Sequence, residues 1–129
     1  MAQAHSPGYL RLVDDAKTRV HQFTIDEFVG RLQAGERYIL LDAREDHEWA
    51  NGHIPSAHHI ARGVLEREIE QQIPEKDAPI VLYSGDGCRS ALAADNLQRM
   101  GYANVVSLDG GLHGWTARGL PTVKPGPGR

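Results

Sequence analysis

The sequence predicts an α/β fold built around a parallel sheet, and three observations predict it. Short apolar runs at Tyr38-Ile39-Leu40-Leu41, Pro79-Ile80-Val81-Leu82-Tyr83 and Asn104-Val105-Val106-Ser107-Leu108 have the length and composition of strands buried on both faces. Segments with apolar residues at helical spacing lie between them. Glycines stand where those segments should stop, at Gly35, Gly52, Gly101 and Gly119.

Taken in order, residues 1–7 carry no pattern and are expected to fray. Tyr9, Leu12, Val13, Ala16 and Val20 then recur at helical spacing, with Ser6 and Pro7 placed to start the helix. Thr24-Ile25-Asp26-Glu27 reads as a capping box bracketed by Phe23 and Phe28 as a hydrophobic staple, which predicts a helix from Ile25 to Gln33. A strand follows over Tyr38–Asp42. Glu45–Ala50 predicts a brief helix with carboxylates in its first turn, where the helix dipole favours them. His58-His59-Ile60 is a short strand candidate, and Val64, Leu65, Ile69 and Ile73 mark a helix. The strand Pro79–Tyr83 leads through Ser84-Gly85-Asp86-Gly87-Cys88 into a helix carrying Ala91, Leu92, Leu97 and Met100. The strand Asn104–Leu108, the turn Gly110-Gly111 and a helix over Leu112–Arg118 complete the pattern, and the tail Pro121–Arg129, rich in proline and glycine, is expected to hang free. The reading divides the chain into an N-terminal extension with a helix (1–22), one domain (23–121) and a flexible tail (122–129).

Composition narrows the function classes. A chain of 129 residues, 40% hydrophobic and 24% charged, suits one ordinary globular domain. The net charge of −3 gives no reason to expect nucleic acid or an anionic membrane as partner. The single cysteine, Cys88, excludes an intramolecular disulfide and suggests a reducing, cytoplasmic setting. No apolar run is long enough to span a bilayer, and Met1–Pro7 lacks the charged and apolar regions of a signal peptide.

The chemistry is expected in the loop Ser84–Arg89. A glycine-bearing turn between the end of a buried strand and a helix N-terminus can aim several backbone N–H groups at one point, making a cradle for an anion. Gly85 and Gly87 allow the curvature, and Arg89 and Ser90 open the helix with a permanent cation and a further donor. Asp86, within the loop, should weaken anion affinity; the alternative is a carboxylate that points outward to select a basic acceptor protein.

Several motifs in order resemble those of the rhodanese family: Asp42-Ala43-Arg44, Glu48-Trp49, Gly52-His53-Ile54-Pro55-Ser56-Ala57, the loop ending Cys88-Arg89-Ser90-Ala91-Leu92-Ala93-Ala94, then Asp109-Gly110-Gly111 and Gly114-Trp115. The resemblance covers about Tyr38 to Pro121. It implies a three-layer sandwich, a five-stranded parallel sheet with helices on both faces. It also implies sulfurtransferase activity, in which a loop cysteine takes sulfane sulfur from a donor such as thiosulfate, holds it as a persulfide and passes it to cyanide, a thiol or a protein acceptor. No cofactor and no metal are implied.

The sequence departs from the family at the nucleophile. The family's cysteine is the first loop residue, five positions before the arginine, and here that position is Ser84. A serine hydroxyl cannot become a persulfide, and no histidine neighbours it in sequence as a base. Three readings stay open. One is a deliberate cysteine-to-serine replacement in an otherwise competent sulfurtransferase, which Ser84→Cys would reactivate. Another is a naturally silent domain that binds an anion or a protein. The last makes Cys88 the working thiol, favoured by the helix N-terminus and Arg89 and opposed by Asp86.

Around the loop, the resemblance gives Asp42, Arg44, Glu48 and His53 the role of loop support, and their spacing allows Arg44 and Glu48 to pair. His53, His58 and His59 match no zinc-ligand spacing. Trp49 and Trp115 are expected in the core. Six residues from Ser84 to Arg89 match the sulfur-transfer branch; the related cell-cycle phosphatases have a loop one residue longer, suited to a phosphoryl group.

Overall fold

The computed structural model describes residues 5–126. Helix α1 (Pro7–Lys17) begins on Pro7, whose missing N–H falls where a helix has no partner for one, and it buries Val13 and Ala16. A short strand β1 (His21–Phe23) follows that the apolar pattern did not reveal. The Thr24–Glu27 capping box forms reciprocally and starts α2 (Ile25–Gln33), with Phe23 stacked 6.5 Å from Phe28 as the staple requires. The remaining elements are β2 (Ile39–Asp42), α3 (Asp46–Ala50), β3 (His58–His59), a 3-10 turn (Arg62–Val64) running into α4 (Leu65–Gln72), β4 (Ile80–Tyr83), α5 (Cys88–Arg99), β5 (Val105–Leu108) and α6 (Gly111–Ala117).

The five strands form one sheet in the order β1-β5-β4-β2-β3, every pair parallel. Successive side chains of a strand face opposite sides, so the continuous apolar run of β4 feeds two cores. Ile80 and Leu82 pack with Val13, Leu65, Ile69 and Leu97 beneath α1, α4 and α5. Val81 and Tyr83 pack with Ile25, Phe28 and Trp115 beneath α2 and α6. The result is the expected three-layer sandwich.

The chain reverses direction across the sheet between β2 and β4. From β4 it proceeds to β5 on one side, and from β2 to β3 on the other. Open α/β sheets place their sites at such a switch point, outside the carboxyl ends of the strands. Asp42 and Tyr83, paired in register, are those ends.

Both termini are tied to the body more closely than their composition suggested. His5, in the segment expected to fray, bonds Asp86 at 2.6 Å. In the tail, Val123 and His53 exchange two backbone hydrogen bonds of 2.8 and 2.9 Å, and the Trp115 indole donates to the Pro121 carbonyl. The tail therefore runs bonded through Val123; residues 127–129 of the segment expected to hang free, and 1–4 of the segment expected to fray, lie outside the described residues. No helix among the described residues is long and apolar enough to cross a membrane.

Candidate functional site

Strand β4 delivers Ser84 to the middle of the carboxyl edge, fully buried. The loop then closes on Gly87, whose φ of +99° is the left-handed region that suits glycine, and α5 begins at Cys88. From the other side, the Gly110-Gly111 turn presses against the loop's base. Leu112 N–H donates to the Ser84 carbonyl and His113 N–H to the Gly85 carbonyl, each at 2.9 Å. A Cβ on Gly111 would stand 2.3 Å from the Ser84 carbonyl oxygen, so only glycine allows this approach.

Ser84 Oγ lies at the focus of the turn. It accepts from the N–H of Gly87 at 3.3 Å and of Ser90 at 3.2 Å, and donates to Ser90 Oγ at 3.4 Å. Ser90 Oγ continues the chain to the Gly87 carbonyl and to Ser107 Oγ on β5, 2.8 Å away. Two converging N–H groups at a helix N-terminus are what a thiolate at position 84 would need. Here a neutral hydroxyl takes them.

The cradle is also less cationic than its sequence suggested. Arg89 is held by Glu48 in a two-pronged pair of 2.7 and 3.0 Å across the switch point, which drives the Glu48 carboxyl down to about 2 and the arginine up. The i,i+4 pairing of Arg44 with Glu48 does not occur, because Arg44 turns inward. Its guanidinium and backbone N–H bond the fully buried Asp42, and Nη2 also donates to the Gly52 carbonyl. Asp86 lines the cleft beside Arg89 and is tied locally. It accepts from Cys88 N–H at 3.1 Å and bonds His5, so the loop carries its own anion. Burial works to raise the Asp86 pKa, yet these hydrogen bonds hold it below the ordinary carboxylate value.

Cys88 sits on the buried side of α5 at 9% exposure. Burial first, and then Asp86, push its thiol up to about 11, so neither the helix terminus nor Arg89 makes it a thiolate at neutral pH.

The predicted residues thus fall into separate groups. Gly85, Asp86, Arg89 and Glu48 line a cleft of about 290 Å³ together with His5, Tyr9 and His113. Ser84 and Ser90 lie beneath it. Asp42 and Arg44 form a buried brace, beside which the Tyr83 hydroxyl accepts from Ile54 N–H. His53 supports this region through its backbone pairing and a Nδ1 contact of 2.9 Å to its neighbour's carbonyl. Trp115 is buried as expected, but Trp49 is half-exposed and stacks on His53 at 3.6 Å and His59 at 4.9 Å. His5, Tyr9, His113 and Ser107 were missed. His113 follows the Gly-Gly turn and Ser107 interrupts an apolar strand, both weak signals, whereas His5 gives none.

A family model for the rhodanese-like domain matches residues 24–118. The chain belongs to the rhodanese-like family. Among relatives of this rhodanese-like chain, a sulfurtransferase of Allochromatium vinosum is 34% identical over 106 residues, which cover 82% of this chain and 97% of that protein. A solved protein of unknown function from Rhodopseudomonas palustris, described as a possible tyrosine phosphatase, superposes with a TM-score of 0.81 at 30% identity, covering 95% of this chain and 99% of that one. Thiosulfate sulfurtransferase of Pseudomonas aeruginosa superposes with a TM-score of 0.71 at 32% identity, over 81% of this rhodanese-like chain and 20% of that one.

Proposed function

We propose that this is a domain of the persulfide sulfurtransferase lineage whose reacting position holds serine in place of cysteine, so that it does not transfer sulfur as it stands. The observation that carries the reading is the place of Ser84 Oγ, on two backbone N–H groups at the foot of the loop. In the family reaction a thiolate there attacks the outer sulfur of thiosulfate. A new S–S bond forms, the S–S bond of the donor breaks, and sulfite leaves with the electron pair. The persulfide then yields its outer sulfur to a thiol, a protein acceptor or cyanide. A hydroxyl held as a neutral hydrogen-bond partner has neither the nucleophilicity nor the sulfur for this.

Cys88 does not substitute, because it is buried and its thiol is kept protonated. The six-residue loop supports a compact sulfur-containing anion such as thiosulfate over a phosphate ester. A second reading, a catalytically silent protein-binding module, draws support from the internal pairing of Arg89 with Glu48 and of Asp86 with His5, which leaves the cradle little free positive charge for an anion.

One comparison separates the two. Thiosulfate-dependent thiocyanate formation is expected to be absent from this chain and present in Ser84→Cys. Activity in the unaltered chain refutes the role given to position 84, and an inactive, folded Ser84→Cys favours the silent module.

A further inference from the structure

Three side chains with different donor atoms meet at the rim of the loop, and the proposed sulfur chemistry uses none of them. His5 offers an imidazole nitrogen, Asp86 a carboxylate oxygen and Cys88 its sulfur, and these atoms all lie within 4.8 Å of one another. Each is positioned by a different device. His5 immediately precedes α1, and its ring meets Tyr9 edge-on at 5.1 Å. Asp86 is folded back by the left-handed turn at Gly87 and fixed by the N–H of Cys88. Cys88 is the first residue of α5, on which α1 packs through the shared core that holds Val13 and Ala91.

We propose that His5, Asp86 and Cys88 form a site for a divalent ion of zinc type. The donor set is the main argument. Nitrogen, carboxylate and sulfur together suit a borderline-soft ion, whereas magnesium and calcium take oxygen alone. Around a tetrahedral zinc with ligand bonds of ~2.0–2.3 Å, donors stand ~3.3–3.8 Å apart, a spacing these atoms, all within 4.8 Å of one another, reach by small side-chain adjustments. His5 and Asp86 are now 2.6 Å apart on a shared proton and would separate by about an ångström to admit the ion. Charge agrees as well, since a carboxylate and a thiolate together balance a divalent cation. Binding releases the Cys88 thiol proton to solvent, and no electron moves. Three protein donors leave one position of a tetrahedral shell unfilled. His5 and Asp86 line the same cleft as Arg89, so a thiolate or sulfur anion would complete the shell there.

The test uses the full chain, freed of metal and titrated anaerobically with Co²⁺ and then Zn²⁺. The site predicts one equivalent bound, a thiolate-to-cobalt charge-transfer band in the near ultraviolet, and its loss on adding Zn²⁺. Cys88→Ser should abolish the band. His5→Ala lies outside the helices and strands and should leave the fold intact by circular dichroism. It should weaken binding by more than the ~10–100-fold typical of losing an outer-shell partner. Absence of the band in the unaltered chain overturns the proposal, as does an unchanged affinity in folded His5→Ala. These outcomes do not depend on sulfur transfer, so they are independent of the role given to Ser84.

Discussion

Replacing Glu48 with glutamine removes the charge that holds Arg89 across the switch point and leaves the shape of the pair nearly unchanged. The drop of the Glu48 carboxyl from an ordinary 4.5 to about 2 sets a ceiling of roughly 3 kcal/mol on what the charged form contributes to folding. Both side chains are a little over a quarter exposed, at 27% and 28%, so solvent screening lowers this toward ~1–2 kcal/mol. The carboxyl is depressed in the folded state. Its contribution is therefore fully present above about pH 4.5 and lost as pH falls toward 2. Urea denaturation of the parent chain and Glu48→Gln should differ by about 1–2 kcal/mol at pH 7, and the difference should shrink steadily below pH 4.5. With a slope of ~2 kcal/mol per molar urea, that is a midpoint shift of roughly 0.5–1 M. A difference that is absent at pH 7, or that persists unchanged at pH 3, refutes the pairing as the source of the shift.

Other perturbations probe the remaining parts of the site. Gly111→Ala places a methyl group 2.3 Å from the Ser84 carbonyl oxygen at a φ of +52°, and should cost at least ~3 kcal/mol in chemical denaturation. Arg44→Met leaves the Asp42 carboxylate buried without its partner and should cost ~3–5 kcal/mol, much of which the double variant with Asp42→Leu should recover. In metal-free protein, alkylation of Cys88 followed by mass spectrometry should be slow at pH 8 and accelerate toward pH 11. Asp86→Asn should move that profile to lower pH.

Much of the fold was legible because strand and helix periods differ so clearly in this chain. The apolar runs at Ile39–Leu41 and Ile80–Tyr83 could only be satisfied by burial on both faces, and the Thr24–Glu27 box states its own helix start. Strand β1 was not legible. Its residues His21-Gln22-Phe23 neither alternate nor form an apolar run, and the segment becomes a strand only because β5 offers an edge to pair with. The loop Ser84–Arg89 was readable as a turn at a helix N-terminus, but its electrostatics were not. Helical spacing paired Glu48 with Arg44, whereas Arg44 turns back to the buried Asp42 two residues before it, and the β2–β4 pairing leaves Glu48 facing Arg89 from 41 residues away. The tail misled for a similar reason. Proline and glycine suggested freedom, yet a single antiparallel bridge to His53 fixes Val123. His5 meets Asp86 across 81 residues through the packing of α1 on α5, a contact that nothing local encodes.

The central claim is that the backbone donors of the loop converge on position 84, where a cysteine would carry sulfur and the serine present does not. Intact and peptide mass spectrometry of Ser84→Cys after exposure to thiosulfate tests it most directly. The account predicts one added sulfur atom, mapped to residue 84, with Cys88 unmodified and no addition to the parent chain. Sulfur found on Cys88, or on the parent chain, would contradict it.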